Sequence, residues 1–158
     1  MARLQKGINF GARSKSRISR SLQVSQTKIG PSLPITFEVR SERITSKPRM
    51  TRQDKWKKRL CVERWYAWKD LIAMSYKRAG GHSYFQPIAI GYEFHLLNHR
   101  KIDLDNLIKG CNDALNGLAW PDDNVGYVRQ FDYARVIFDT YGPFCGSEKV
   151  IISIRPLD

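Results

Sequence analysis

Two acidic motifs carry residue types and spacings that can do chemistry: Asp103-Leu104-Asp105-Asn106 and, beyond a helical interval, Asp122-Asp123. Asp105 suits the N-cap of a helix beginning near residue 106, where its carboxylate would satisfy free backbone N–H groups. That structural role accounts for Asp105 alone and leaves Asp103 unexplained. In extended chain, residues two apart point to the same side, with Cα atoms roughly 6–7 Å apart. Two carboxylates that close repel each other unless a cation lies between them. Hard divalent ions such as Mg²⁺ favour this all-oxygen arrangement, completed by water and substrate phosphate. Lys109 follows Asp105 by one helical turn, and Asp113 comes another turn on. The three residues read either as a solvated ion-pair ladder, worth ~0.2–0.5 kcal/mol per pair, or as a cation held near a phosphate whose charge grows during reaction. Spacing alone does not separate these readings.

Asp122-Asp123 follow Trp120-Pro121, a context that by itself describes a turn. Whether they reach the first pair is a question of length. A twelve-residue helix carries the chain roughly 18 Å, and the stretch from Leu118 to Asp123 spans about 20 Å if extended. Return within one chain has little slack, so a second subunit bringing the pair to the site is the alternative. No competing chemistry is visible. His82, His95 and His99 lack zinc spacing, and there is no GxxxxGK[ST] loop, no GxGxxG and no serine elbow. Cys61, Cys111 and Cys145 form no CxxC pair and read as ordinary buried thiols of a reducing cytoplasm.

The elements that must position these residues follow from hydrophobic periodicity. Ile35–Val39 alternates as a strand. Cys61, Trp65, Trp68, Ile72 and Tyr76 recur at three- and four-residue steps as a helix, stopped by Gly80-Gly81. Residues 87–97 form a second strand, with Ile88, Ile90, Tyr92, Phe94 and Leu96 on one face. A polar turn at 98–101 leads into the acidic motif. A helix over about 106–117 then carries Leu107, Ile108, Cys111, Leu115 and Leu118 and stops at Asn116-Gly117. Strands are expected at about 125–138 and 148–155. This order predicts an α+β (mixed α/β) domain over 33–158, with a small mixed sheet of about four strands and two main helices.

Charge is divided along the chain. Residues 1–99 hold 20 Lys/Arg against 6 Asp/Glu, and residues 100–158 hold 7 against 9. A basic half would hold a polyanion by releasing its counterions, although acidic membrane surfaces attract such proteins too. No apolar run approaches the ~20 residues of a membrane span. Residues 1–32 have seven basic and no acidic residues and read as a flexible basic arm. An organellar transit peptide is the second reading of that composition. Lys47, Arg49, Arg52, Lys55, Lys57, Lys58 and Arg59 are the candidate phosphate contacts, with Trp56 among them as the candidate aromatic contact.

The segment Asp103-Leu104-Asp105-Asn106-Leu107-Ile108-Lys109, with Asp113-Ala114-Leu115 and Trp120-Pro121-Asp122-Asp123, resembles the signature of the RusA-type Holliday junction resolvases of bacteria and their phages. The resemblance is strong over 99–128, looser around Lys47-Pro48-Arg49, and absent over 1–32. It implies a RusA-like fold and a homodimer that binds four-way junction DNA and cuts two opposed strands. Asp103, Asp105 and Asp123 would be the metal-binding carboxylates, Asp122 the alternative to Asp123, and Lys109 the essential lysine. Mg²⁺ would be the cofactor, with Mn²⁺ substituting, and no nucleotide would be needed. The expected place is the cytoplasm of a bacterial or phage-infected cell. A non-catalytic junction-binding module and a nuclease of flaps or forks remain the alternatives.

Overall fold

The structure is a computed structural model, and it describes residues 33–138 and 146–157. Strand β1 (Ile35–Ser41) leads through a 3₁₀ turn (Arg52–Lys55) into helix α1 (Leu60–Arg78). Strand β2 (Ile88–Leu96), helix α2 (Leu104–Leu115), and strands β3 (Val128–Phe138) and β4 (Glu148–Pro156) follow. The sheet order is β1-β4-β2-β3. β4 pairs antiparallel with β1 and β2, and β2 pairs parallel with β3. The architecture is therefore α+β on a mixed four-stranded sheet, as the alternation of periodicities predicts. The parallel pair needs a crossover, and α2 provides it.

One face of the sheet is apolar because every second side chain points the same way. Ile88, Ile90, Tyr92, Phe94 and Leu96 of β2 are buried there, beside Phe37 and Val39 of β1 and Val150, Ile152 and Ile154 of β4. The helices cover this face with Trp68, Ile72 and Tyr76 of α1 and Leu107, Cys111 and Leu115 of α2. The expected α1 stripe needs one correction: Cys61 is exposed, and its neighbour Val62 takes the buried place in the first turn. Cys111 is buried as expected, and burial pushes its thiol far above the usual range. The opposite face of the sheet carries ion pairs, among them Glu93 with Arg135 and Asp132 with Arg155.

Both helix stops are glycines in the left-handed region, Gly80 (φ 80°) and Gly117 (φ 76°), where a side chain would be strained. Among the described residues no helix is long and apolar enough to cross a membrane. The basic arm expected over 1–32, the Gly/Pro loop around 142–143 and Cys145 lie outside the described residues.

Candidate active site

Helix α2 begins two residues earlier than its apolar periodicity suggests, and this reverses the roles expected for the first two aspartates. Asp103, not Asp105, holds the N-cap position (φ −82°, ψ 134°). The Asp103 carbonyl accepts the Leu107 N–H at 3.2 Å. Half-buried Ile102 packs against the core and fixes the chain just before Asp103, so winding starts at Leu104. The pair is thus not in extended chain, and the same-side argument gives way to a different geometry: N-cap and first turn. The Asp103 carboxylate makes no capping bond. It accepts instead a hydrogen bond from Asn106 Nδ2 at 3.2 Å. Asp105 is exposed in the first turn, where a negative charge meets the positive end of the helix dipole.

The loop ahead of Asp103 is braced by a pair that no local sequence signal marks. Arg100 Nη1 and Nη2 donate to Glu148 Oε1 and Oε2 at 2.7 and 2.6 Å. Arg100 Nη2 also donates to the Ile44 carbonyl at 2.8 Å, and the Ile44 N–H donates to Glu148 Oε2 at 2.7 Å. Glu148 is 1% exposed. The network ties the loop to the first residue of β4 and to the segment after β1. Beside it an open groove of about 450 Å³ is lined by Arg43, Arg64, Arg100 and Lys101, among others. These arginines are scattered in sequence and meet only in the fold.

Along α2, Asp105, Lys109 and Asn112 are four and three residues apart and share one stripe. Lys109 is exposed, and among the described residues its ammonium has no ion-pair partner. The ladder reading fails because Asp113 pairs with Lys47, Nζ to Oδ2 at 2.6 Å. Further along the stripe, the buried Tyr92 hydroxyl donates to Asn112 Oδ1. Burial raises the Tyr92 pKa well above the usual value, with smaller contributions from Cys111 and from the charge of Asp123.

The two members of the Asp122-Asp123 pair differ in their commitments. Asp122 Oδ1 accepts the Asp123 N–H at 2.9 Å and Oδ2 accepts Asn124 Nδ2 at 2.8 Å. Asp122 is thus folded into its own turn, whereas Asp123 is exposed and its carboxylate accepts no hydrogen bond among the described residues. The segment leading there is not extended. Leu118 and Ala119 N–H bond back to the Leu115 carbonyl at 3.0 and 2.7 Å, and Trp120 is fully buried. The chain leaves α2 by a compact turn rather than by the extended run that a return to Asp105 would need.

No group of three or more Asp, Glu, His or Cys side chains among the described residues is placed to hold a metal ion. The donor set present is two exposed carboxylates at one helix start, with Asp123 further along. Hard, uncompensated oxygen donors suit Mg²⁺, which takes one or two carboxylates and fills its other positions with water and phosphate. They do not make a closed protein cage.

The basic segment divides in two. Lys47 is spent on Asp113, and its ammonium lies 5.6 Å from the Trp65 ring. Arg59 is spent on Asp54, donating from Nε and Nη2 at 2.9 and 3.0 Å, and on the Arg49 carbonyl at 2.6 Å. Arg49, Arg52, Lys55, Trp56, Lys57 and Lys58 are exposed.

A mixed-sheet α+β domain with exposed aspartates at a helix start, a lysine one turn on and an exposed basic segment has parts a nuclease could use. The family model described as Endodeoxyribonuclease RusA matches residues 42–139, more than half of the chain, and the chain belongs to that family. It is an endodeoxyribonuclease, and the match spans both helices and both acidic motifs. No curated protein matches it.

Proposed function

We propose that this chain resolves four-way DNA junctions by Mg²⁺-dependent hydrolysis of phosphodiesters, acting as a homodimer that nicks two opposed strands. The observation that carries the reading is the state of Asp103 and Asp105. Two exposed carboxylates begin one helix inside the matched region, and among the described residues neither is used for capping or ion pairing. Asp103 and Asp105, at one helix start, would hold the ion with water and phosphate completing its shell; Asp123 would join them only as the third carboxylate that the resemblance assigns, and Mn²⁺ would be able to replace Mg²⁺. When bound, Mg²⁺ supplies an acidified water and charge neutralisation at the phosphate.

The chain's own residues do the rest. Asn106 orients the Asp103 carboxylate through its amide. Lys109, unpaired on the same stripe as Asp105, offsets charge on the phosphate oxygens as the bond breaks. Asp122 fixes the turn that presents Asp123. Exposed Arg52, Lys55, Lys57 and Lys58, with Arg43, Arg64 and Lys101 of the groove, hold the DNA arms by their phosphates. A two-fold dimer matches the two-fold symmetry of a junction and supplies two sites. The setting proposed is the cytoplasm of a bacterial or phage-infected cell.

The test compares cleavage of a synthetic four-way junction, a flap and a linear duplex in equal salt, with Mg²⁺ and with EDTA. Paired nicks in the junction alone, lost in EDTA, are expected. Preference for the flap, or cutting in EDTA, refutes the proposal.

A further inference from the structure

Outside the acidic site Trp56 stands 92% exposed, while Trp65, Trp68 and Trp120 are all buried. A large apolar ring in water forgoes burial, so its position needs a reason. The turn that presents it is built with unusual firmness. Asp54 is 5% exposed, and its Oδ2 accepts the Thr51 N–H at 2.7 Å and the Thr51 hydroxyl at 2.9 Å. Arg59 closes the far side with two bonds to the same carboxylate and one to the Arg49 carbonyl. Trp56 and Lys57 N–H both bond back to the Gln53 carbonyl at 3.0 Å. An ion pair and a capping box thus hold a nine-residue turn whose tip is an indole. Exposed Lys55, Lys57 and Lys58 surround that tip, and the Lys58 ammonium lies 4.5 Å from the Tyr66 ring centroid.

We infer that Thr51–Arg59 is a rigid mount and that Trp56 stacks on a base exposed at the branch point of bound DNA. This deepens, and rests on, the junction reading above. The flanking lysines select a polyanion as the occupant. The ring selects the part of it that has an open π-face, because bases within a duplex are already stacked on both sides. A branch point leaves base faces that can accept an aromatic ring, and stacking of this kind tolerates any base. The phosphates hold the arms while Trp56 reports the branch.

The test uses the full chain without divalent metal, so that nothing is cut. Acrylamide should quench Trp56 selectively in the free protein. Binding of a four-way junction should abolish that quenching, and a duplex of the same sequence should not. In a junction carrying 2-aminopurine at the branch, binding should change the probe's emission with the wild type and Trp56→Phe, and not with Trp56→Ala. Trp56→Ala should weaken junction binding roughly five- to 150-fold, the range for loss of one stacked base, with duplex affinity and melting temperature unchanged.

Equal protection by duplex would overturn the inference in favour of a simple backbone contact. An indole already shielded in the free protein would overturn it in favour of a second copy covering the turn. A wild type that binds junction no better than duplex removes the junction reading itself. Junction preference with an unprotected indole removes only the stacking.

Discussion

Replacing Arg100 by Met tests whether the loop before Asp103 is held by the buried pair with Glu148. The side chains of Arg100 and Glu148 are 13% and 2% exposed, so neither charge is well solvated. Removing Arg100 leaves the Glu148 carboxylate with the Ile44 N–H at 2.7 Å and a long contact to the Leu97 N–H at 3.4 Å. It also strips the Ile44 carbonyl of its guanidinium donor. An uncompensated buried charge of this kind costs about 3–5 kcal/mol. With a urea dependence of ~1.5 kcal/mol per M, the unfolding midpoint falls by about 2–3 M. Arg100→Met combined with Glu148→Leu removes both charges and should recover most of that loss, because the pair itself is worth little against an apolar replacement. Urea titrations of wild type, both singles and the double give the coupling energy directly. A loss below about 1 kcal/mol for Arg100→Met would put the pair with ordinary surface ion pairs and refute the brace. So would a double variant no more stable than the single. Under conditions where the double variant is folded, its cleavage rate should fall more than its DNA affinity, since the loop it loosens carries Asp103 and, of the proposed DNA contacts, only Lys101.

Two further outcomes follow from the geometry. Asp103→Asn and Asp123→Asn should each lower junction cleavage by on the order of 10²–10³-fold or more and leave junction binding intact or tighter. Asp122→Asn should instead cost roughly 0.5–1.5 kcal/mol of stability and spare most activity, as parallel cleavage, gel-shift and melting measurements would establish; equal losses for Asp122 and Asp123 would contradict the division of labour between them. The Asp54 carboxyl, held by the Arg59 guanidinium well below its ordinary 3.8, contributes stability that is fully present above that value and disappears as pH falls through the lower folded-state value. The melting difference between wild type and Asp54→Asn should therefore be constant above about pH 5 and shrink progressively below pH 4; a difference that instead grows on acidification would show that the ion pair is not its source.

The parts of this fold visible in the sequence are those governed by local periodicity. β2 announces itself because five alternate apolar residues from Ile88 to Leu96 must all face the core. The α1 stripe is equally plain, although the choice between adjacent Cys61 and Val62 for the first buried place turns on helix phase, which the stripe alone leaves loose by one residue. Apolar periodicity puts the start of α2 two residues late for a physical reason: Asp103 and Asp105 are both good N-cap types, and the contact that favours the first, Ile102 against the core, is tertiary. The Arg100–Glu148 brace joins residues 48 apart, and the pairing of Lys47 with Asp113 crosses from the basic segment to α2. Neither has a spacing rule, so Lys47 and Arg59 looked free for DNA when the fold uses them elsewhere. The candidate site was legible to the extent that carboxylates at a helix start are conspicuous. Which of them are idle, and so available to a ligand, is visible only in three dimensions.

Idleness is the sharper criterion for this site. An N-cap aspartate ordinarily gains about 1 kcal/mol by accepting a backbone N–H, yet Asp103 forgoes that bond while sitting where it could be made. Its carboxylate is turned to the Asn106 amide, and among the described residues its other oxygen accepts no hydrogen bond. Asp105 profits from the helix dipole with or without a ligand, so its presence says less. Among the described residues the Asp123 carboxylate accepts no hydrogen bond, whereas that of its neighbour Asp122 accepts the Asp123 N–H and Asn124 Nδ2. Lys109 is idle although Asp105 and Asp113 flank it at one-turn spacing, because Asp113 is claimed by Lys47. Among the described residues Asp103, Asp105, Asp123 and Lys109 make no ion pair, which solvated surface groups tolerate at little cost. They make sense in a chain whose net charge is +12 if the opposite charges they await arrive with the substrate: cations for the aspartates, phosphate for the lysine.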